Sequence, residues 1–396
     1  MSDSRKTVSS HPPPTSPWVG ALAALTLGIM IAFVIAEVGL RVFQPIPIRV
    51  RGDEILLPRN VVYNIHNGAP RGLGGALDEN LVHTKNSLGF RGPEPPADFD
   101  NDLTIVAIGG STTECFYLSD ADAWPQRLAV RLSGQFRSLW LNNAGLDGHS
   151  TFGHLQLMRQ YIAQLHPKFV TILAGINDMF AEAPNNYDKR PIASALSNLA
   201  RYSDVAALAL MFWRHQEAVE IRDLGAMPRP INLHDDIYHT PIAPSARADA
   251  LALEAKEKES VDAYRRRLVE LVNLARSNGI EPILITQPAL FGPAVDDVTG
   301  VDLGKMTIEL GATMSGSAAW TALEAYNEMT RAVGREKAVP VVDLAHLMPK
   351  SSRYYYDFLH FSKAGAMEVA TILDREMCPI LTDKAPRYVA GKCPAP

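Results

Sequence analysis

Five short apolar runs, separated by segments with helical spacing, constrain the fold of this chain more than any other feature. Apolar runs without alternation are typical of strands buried on both faces, as in a parallel sheet between two layers of helices. The pattern therefore predicts an α/β domain with a three-layer αβα, doubly wound (flavodoxin-like) sheet of about five parallel strands. The runs are Leu103–Ile108, Leu139–Ala144, Phe169–Ala174, Pro282–Thr286 and Pro340–Leu344.

The segments between these runs predict the helices that cover the sheet. The interval between the third and fourth runs is long, and residues 179–260 within it are predicted to be an insert. Two interpretations of the insert stay open: a lid beside the strand ends, or a solvated crossover helix with a long linker. The expected helices are Ala123–Leu132, a segment near Gly153–Leu165, Ile192–Glu220 and Ser245–Ser277.

A transmembrane helix is predicted before this domain. Trp18–Ala36 contains no charged residue, and a helix of this length, at about 1.5 Å per residue, covers the ~30 Å hydrocarbon core of a bilayer. The alternatives are a buried soluble helix and a cleaved signal peptide that begins with Arg5 and Lys6. The anchor is preferred because the apolar core of a signal peptide usually has only about 7–15 residues.

The charges that flank this span do not fix its orientation. Arg5 and Lys6 precede it, and Arg41, Arg49 and Arg51 follow it, so the positive-inside rule does not favour export of the domain. We nevertheless expect a periplasmic or other extracytoplasmic domain, because a single N-terminal span followed by a long domain usually exports that domain.

The segments outside the anchor and the α/β domain are a polar N-terminal tail, a Pro- and Gly-rich lead-in and a short C-terminal tail. The Pro- and Gly-rich lead-in before the domain is expected to be extended and to pack loosely on it. The predicted organisation is a disordered polar tail (residues 1–17), an anchor with a juxtamembrane helix (18–43), the lead-in (44–100), the α/β domain (101–378) and a C-terminal tail (379–396).

Composition excludes several classes of protein. With 47% hydrophobic and 20% charged residues, the chain is not mostly disordered. The net charge is −5, and the sequence has no basic stripe or zinc-finger spacing, which argues against a nucleic-acid partner. Three cysteines are too few for a disulfide scaffold. We expect Cys115 to be buried, and Cys378 and Cys393 to pair if the domain is outside the cytosol.

Polar residues follow the predicted strands at the points where each strand ends. Because the carboxyl ends of parallel strands share one edge of an open sheet, and sites form there, we expect these residues to converge. They are Ser111 after the first strand, Asn143, Gly145 and Gly148 after the second, Asn177 and Asp178 after the third, and Asp357 and His360 after the fifth.

Three of these residues have the chemistry of a hydrolase. A serine hydroxyl is a weak nucleophile until a base takes its proton, and that base works best when a third group fixes its tautomer. Ser111 would supply the hydroxyl, His360 the imidazole, and Asp357, three residues earlier, the carboxylate. Each alone is explained equally well as a capping or turn residue, but their joint occurrence favours catalysis.

Four sequence blocks resemble those of the SGNH (GDSL-like) hydrolase family and occur in the order of that family. The resemblance extends from Leu103 to about Glu376, and the apolar N-terminal helix and the segment Asn86–Gly92 are similar to membrane-anchored bacterial members. The blocks are Gly109-Gly110-Ser111-Thr112, Asn143-Ala144-Gly145-Leu146-Asp147-Gly148, Gly175-Ile176-Asn177-Asp178 and Asp357-Phe358-Leu359-His360.

This resemblance implies roles for individual residues. Ser111 would be the nucleophile, His360 the general base and Asp357 the acid that orients it. The resemblance also implies an oxyanion hole made by the backbone N–H groups of Ser111 and Gly148 and the side-chain amide of Asn177. Loss of one such donor typically costs about 100–1000-fold in rate.

The sequence departs from the family pattern at two positions. Gly110 stands where the acid of Gly-Asp-Ser is usual. His149 follows Gly148 where an acid is common, and is expected to change the charge of the pocket. Separately, Thr113 stands where the Gly-x-Ser-x-Gly elbow would have its last glycine, which argues against the ordinary α/β-hydrolase fold.

The predicted function is a serine esterase that hydrolyses an O-acetyl ester on an envelope or extracellular polysaccharide through an acyl-enzyme. An O-acyltransferase that uses the same residues and a non-catalytic glycan-binding or assembly module are the alternatives. No cofactor is expected. No metal is expected either, because the run His234–His239 contains ligand types but lacks a third partner at suitable spacing.

Overall fold

The structure of the protein is a computed structural model that describes residues 17–43, 50–52, 54–66, 77–179, 195–221, 246–309 and 313–395. Three expectations fall outside these residues. They concern the polar tail before residue 17, residues 222–245 of the insert, and the run His234–His239 within that stretch.

Strands and helices are numbered in chain order. The strands are β1 (Val50–Arg51), β2 (Glu54–Ile55), β3 (Val61–His66), β4 (Asn80–Lys85), β5 (Leu103–Gly109), β6 (Leu139–Asn143), β7 (Phe169–Leu173), β8 (Glu281–Ile285), β9 (Thr307–Glu309), β10 (Thr313–Ser315) and β11 (Val341–Val342). The helices are α1 (Pro17–Phe43), α2 (Ser111–Glu114), α3 (Trp124–Leu132), α4 (Thr151–Leu157), α5 (Ala163–Leu165), α6 (Ala195–Tyr202), α7 (Asp204–Ile221), α8 (Ala246–Ser277), α9 (Gly316–Lys337), α10 (Leu344–Leu347) and α11 (Lys363–Lys384).

The central sheet is the parallel sheet that the apolar runs predict. Its strand order is β11-β8-β7-β5-β6, and each neighbouring pair is parallel. The first strand of the sheet, β5, therefore lies inside it, and the chain reverses its winding direction there. The predicted doubly wound α/β fold is confirmed.

Helices cover both faces of this sheet. α3 packs against α11 and β6, whereas α8 packs against α4, α9 and β8. The strand residues between these layers are almost fully buried, as continuous apolar runs require.

The last strand of the central sheet, β11, is shorter than its predicted run Pro340–Leu344. It ends at Val342 because Asp343 begins the next turn: the Asp343 carbonyl accepts from the backbone N–H groups of His346 and Leu347, both at 3.1 Å. A hydrogen bond of 2.9 Å from Thr286 Oγ1 to Asp343 Oδ1 joins this turn to the end of β8.

Residues 77–92 of the lead-in are firmly packed, so the expectation of loose packing was wrong for this part. β3 and β4 form an antiparallel hairpin, and Phe90 and Arg91 are buried. The guanidinium of Arg91 donates to the carbonyls of Glu114 (2.8 Å) and Cys115 (2.7 Å). Pro and Gly content did not reveal this packing, because it depends on partners that lie far along the chain.

The chain divides into two compact units. One contains residues 1–53 and 192–216, and the other contains 54–191 and 217–396. Residues 195–216 of the predicted insert thus group with the N-terminal helix. Within α1, Trp18–Phe43 is long and apolar enough to cross a membrane, by length and composition.

The two predictions for the cysteines are confirmed. Cys378 and Cys393 form a disulfide bond, and Cys115 is free and buried. The predicted domain boundary at residue 378 falls inside a helix, because α11 continues through Pro379 to Lys384. The tail beyond this helix also donates from the backbone N–H of Ala390 to the Gln135 carbonyl (2.8 Å).

Replacing Cys378 and Cys393 together by alanine is expected to lower the free energy of unfolding. A cross-link across a separation of 15 residues restricts the unfolded chain, which is worth about 3 kcal/mol for a loop of this size. Chemical unfolding of the full-length protein in detergent measures the change. A reductant should destabilise the wild type to the level of the variant and leave the variant unchanged; equal stability of the two proteins without reductant would contradict the prediction.

Candidate active site

Ser111 lies at the carboxyl end of β5 and begins the single-turn helix α2. The Gly110 carbonyl accepts from the backbone N–H groups of Thr113 (3.0 Å) and Glu114 (2.9 Å). Cys115, with a φ of 52°, ends the turn. Because β5 is an interior strand, this turn holds the serine hydroxyl at the carboxyl edge of the sheet.

Asp357 and His360 lie in the loop before α11. Asp357 Oδ1 accepts from the backbone N–H groups of Leu359 (2.8 Å) and His360 (2.7 Å). Asp357 Oδ2 is 2.6 Å from His360 Nδ1, and His360 Nε2 is 2.8 Å from Ser111 Oγ. The structure therefore brings these three predicted residues together, although Ser111 and His360 are 249 positions apart.

The other two predicted donor residues lie in loops that follow β6 and β7. Gly148 has a φ of 71°, in a turn where His149 N–H donates to the Leu146 carbonyl (3.2 Å). Asn177 Nδ2 donates to the His149 carbonyl (3.1 Å). A side-chain amide nitrogen carries two hydrogens, and this contact uses one of them.

Two glycines allow these loops to approach α2. A Cβ on Gly110 would lie 2.3 Å from Asn177 Nδ2, and a Cβ on Gly145 would lie 2.3 Å from the backbone nitrogen of Glu114. Both distances are far below van der Waals contact. Gly110, the departure from Gly-Asp-Ser, thus makes room for the Asn177 amide beside Ser111.

A sequence profile of the GDSL-like lipase/acylhydrolase family matches residues 107–367, a stretch that contains all four blocks. This chain belongs to that family. The protein is therefore an enzyme, a serine hydrolase that acts on ester bonds.

Solved structures similar to this hydrolase include two esterase-type enzymes. The acetylxylan esterase Axe2 from Geobacillus stearothermophilus is 15% identical, and the match covers 69% of this chain and 93% of that one with a TM-score of 0.39. The lipase/acylhydrolase from Enterococcus faecalis is 15% identical, and the match covers 74% of this chain and 100% of that one with a TM-score of 0.38. No curated protein sequence matches the hydrolase.

Charges and a ring surround the imidazole of the hydrolase. Burial lowers the pKa of His360, but the charge and hydrogen bond of Asp357 outweigh burial and, with a contribution from Asp147, raise this pKa above its ordinary value of 6.5. The Tyr356 ring stacks on the imidazole, with 5.5 Å between ring centroids. No pattern in the sequence indicated the contribution of Asp147 or of Tyr356.

A buried ion pair that sequence reasoning missed supports the second-block loop. Glu114 Oε2 accepts from the backbone N–H of Asp147 (2.7 Å), and Glu114 Oε1 accepts from Lys85 Nζ (2.9 Å). Burial raises the pKa of Glu114, but the Lys85 ammonium, together with His83 and the backbone N–H of Asp147, outweighs burial and holds this pKa below its usual value. Lys85 lies directly before the segment Asn86–Gly92, and its position next to that segment was the only signal in the sequence.

Asn143 and Asp178, which follow strands and were predicted to lie at the site, support it through hydrogen bonds to the backbone of neighbouring loops and helices. Asn143 Nδ2 donates to the Thr113 carbonyl (2.7 Å), and Asn143 Oδ1 accepts from Gly145 N–H (2.9 Å). Asp178 Oδ2 accepts from the first N–H of α4, that of Thr151 (3.0 Å). Arg267 Nη2 donates to Asp178 Oδ1 (3.1 Å), a partner that sequence reasoning missed.

His149 carries no charge at neutral pH. Burial lowers its pKa to about 4. His149 therefore adds no positive charge to the pocket, and the pocket differs from the family pattern only by the missing negative charge of the usual acid. Within the described ranges, no group of three His, Cys, Asp or Glu side chains is arranged to hold a metal ion.

Gly110→Ala is expected to fold and to lose most of its activity. The new Cβ displaces the Asn177 amide, which would cost about 100–1000-fold in kcat if this amide is an oxyanion donor. Kinetics on a short-chain ester and thermal unfolding measure the two effects. Gly134→Ala is the matched control, because its Cβ would meet only the Arg131 carbonyl at 3.4 Å. Full activity of Gly110→Ala would show that the amide of Asn177 has no such role.

The acid limb of kcat/KM is expected to have its midpoint above pH 6.5, because His360, if it is the general base, would have to be neutral to accept a proton, and its pKa is raised. Asp147→Asn should move this midpoint to lower pH, since it removes a negative charge that raises the pKa of His360. Asp383→Asn, on the exposed end of α11, is the charge-matched control and should leave the profile unchanged. A midpoint that stays in place in Asp147→Asn would refute this electrostatic effect.

Proposed function

We propose that this hydrolase is a membrane-anchored serine esterase in which Ser111 is the nucleophile, His360 the general base and Asp357 the orienting acid. The observation that supports this most is the continuous pair of contacts, 2.8 Å from Ser111 Oγ to His360 Nε2 and 2.6 Å from His360 Nδ1 to Asp357 Oδ2. Both nitrogens of one imidazole are thus engaged in the order that proton transfer requires.

In the first half of the proposed reaction, Ser111 Oγ attacks the ester carbonyl carbon while His360 Nε2 takes the hydroxyl proton. The carbonyl oxygen becomes an oxyanion, which accepts from the N–H groups of Ser111 and Gly148 and from the second amide hydrogen of Asn177. Asp357 stabilises the imidazolium. Collapse of this intermediate breaks the bond to the leaving alcohol, which receives the proton from His360 and leaves an acyl-serine.

In the second half, water replaces the alcohol. His360 takes a proton from water as its oxygen attacks the acyl carbon, and the same donors hold the second oxyanion. Collapse then breaks the bond to Ser111 Oγ, which regains its proton from His360. The carboxylic acid leaves, and the residues return to their starting states.

We propose that the catalytic unit lies outside the cytosol and is held to the membrane by α1. Two observations support this location. Trp18–Phe43 has the length and composition of a membrane span, and the bond between Cys378 and Cys393 is of a kind that persists in oxidising compartments such as the periplasm. Such a location gives access to O-acetyl esters of envelope or extracellular polysaccharides, which we propose as the substrate class.

Ser111→Ala is expected to reduce hydrolysis of p-nitrophenyl acetate by at least about 1000-fold, because the acyl-enzyme cannot form without the hydroxyl. The variant should unfold at the temperature of the wild type. Ser133→Ala removes an exposed hydroxyl at the end of α3 and serves as the matched control. Undiminished turnover in Ser111→Ala would refute the assigned nucleophile.

The substrate class requires a separate measurement on the full-length enzyme in detergent. An acetylated oligosaccharide, a long-chain acyl ester and a thioester are compared by kcat/KM, and preference for the acetylated oligosaccharide is expected. Preference for the long-chain ester or the thioester would overturn the polysaccharide proposal but leave the nucleophile untouched. Transfer of a labelled acyl group to a sugar hydroxyl would identify an acyltransferase.

A further inference from the structure

Residues 195–216 of the insert belong to the same compact unit as the N-terminal helix. They comprise α6 and the beginning of α7, and residues 195–212 are called the insert hairpin from here on. The mechanism above uses none of its residues. Its contacts with α1 nevertheless determine where it lies relative to a bilayer that α1 spans.

Glu37 of α1 holds the N-terminus of α7. Its Oε1 accepts from the backbone N–H of Asp204 (2.9 Å), and its Oε2 accepts from Ser203 Oγ (2.9 Å) and the backbone N–H of Val205 (3.1 Å). The first N–H groups of a helix have no partner within that helix, so a carboxylate is well suited to accept from them. Arg41, one turn further along α1, donates to the Tyr202 carbonyl (2.6 Å).

These contacts set the depth of the insert hairpin. The uncharged run of α1 ends at Ala36, and its 19 residues, Trp18–Ala36, cover about 30 Å at ~1.5 Å per residue. Glu37 therefore lies where the hydrocarbon core gives way to the headgroups. Consistently, the described side chains of α1 are exposed as far as Ala36, whereas Glu37, Gly39 and Leu40 are partly covered.

The insert hairpin exposes large apolar side chains within about two helical turns of these contacts. Leu199 is 53% exposed, Phe212 53% and Tyr202 77%. The apolar side chains it buries are mostly small and form a separate cluster of Ala200, Ala206, Ala207 and Leu210. An isolated exposed apolar residue needs no explanation, but Tyr, Leu and Phe together beside the end of a membrane span match an interfacial segment.

We infer that the insert hairpin is a second membrane-contact element, with Leu199, Tyr202 and Phe212 in the boundary between the headgroups and acyl chains of the leaflet in which α1 ends. The partner that covers these three side chains is thus lipid, and Glu37 fixes the insert hairpin at that depth. The inference rests on the proposed anchor, because α1 must span the bilayer for Glu37 to lie at its surface.

The test uses the full-length protein in phosphatidylcholine liposomes, with one engineered cysteine at a time labelled by an environment-sensitive dye. The native Cys115 is buried, and Cys378 and Cys393 are bonded, so the added thiol is the one that reacts. Labels at Leu199→Cys and Phe212→Cys report on the insert hairpin, and a label at Ile29→Cys reports on the anchor. Val130→Cys, an exposed apolar position on α3, controls for adhesion of the dye to lipid.

Lipids with a quencher on the acyl chain are expected to remove more than about half of the emission at positions 199 and 212, as for groups buried ~5–10 Å into the interface. Emission at position 130 should stay nearly unchanged. Glu37→Gln weakens the support of α7, so it should reduce quenching at 199 and 212 without affecting position 29. Esterase activity, which these positions do not serve, verifies that each variant is folded.

Two results would overturn the inference while the anchor stands. One is strong quenching at position 29 with no more quenching at 199 and 212 than at 130. The other is protection of 199 and 212 from both the lipid quencher and aqueous iodide, which would show that protein covers this face. Absence of quenching at position 29 would instead refute the anchor itself. Loss of esterase activity in Ser111→Ala tests the nucleophile and does not depend on the anchor or on the membrane contact of the insert hairpin.

Discussion

The pairing of β5 with β6 on one side and β7 on the other is the constraint on which the candidate site depends. Its backbone hydrogen bonds continue beyond the strands, because Ala144 N–H donates to the Ala107 carbonyl (2.8 Å) and Leu146 N–H to the Gly109 carbonyl (3.0 Å). The second-block loop is thereby carried to the turn that begins at Ser111. Rigid backbone pairing, more than side-chain packing, brings three separate segments to one edge of the sheet.

The loop with Asp357 and His360 reaches this edge by different means. Leu290 N–H donates to the Phe358 carbonyl (2.9 Å), which ties the loop to the segment after β8. Lys350 holds that segment, since its Nζ donates to the Ala289 and Phe291 carbonyls at 3.0 Å and 2.8 Å. Burial lowers the pKa of Lys350 to about 7. The imidazole thus approaches the serine hydroxyl from a loop outside the strand ladder.

Buried charges behind the site fix its loops. Lys85 with Glu114 and Arg267 with Asp178 are ion pairs with almost no exposed side-chain surface. Desolvation makes such pairs costly, and removal of one partner leaves an uncompensated charge. The acid of each pair also accepts from a backbone N–H near the site. Glu114 accepts from Asp147, in the loop that carries Gly148, and Asp178 accepts from Thr151, at the start of α4. Their effect is therefore to define one conformation of those loops.

The sequence by itself indicated a doubly wound parallel sheet of about five strands and the residues that meet at its edge. Apolar runs and strand-end residues are local patterns, and parallel pairing then brings the residues that follow β5, β6 and β7 to one edge of the sheet. The tertiary structure alone decided that Lys85 pairs with Glu114, that the lead-in is packed through Arg91, and that Glu37 holds the start of α7. These partners are far apart along the chain, and no spacing or composition rule relates two single charges that meet only after folding.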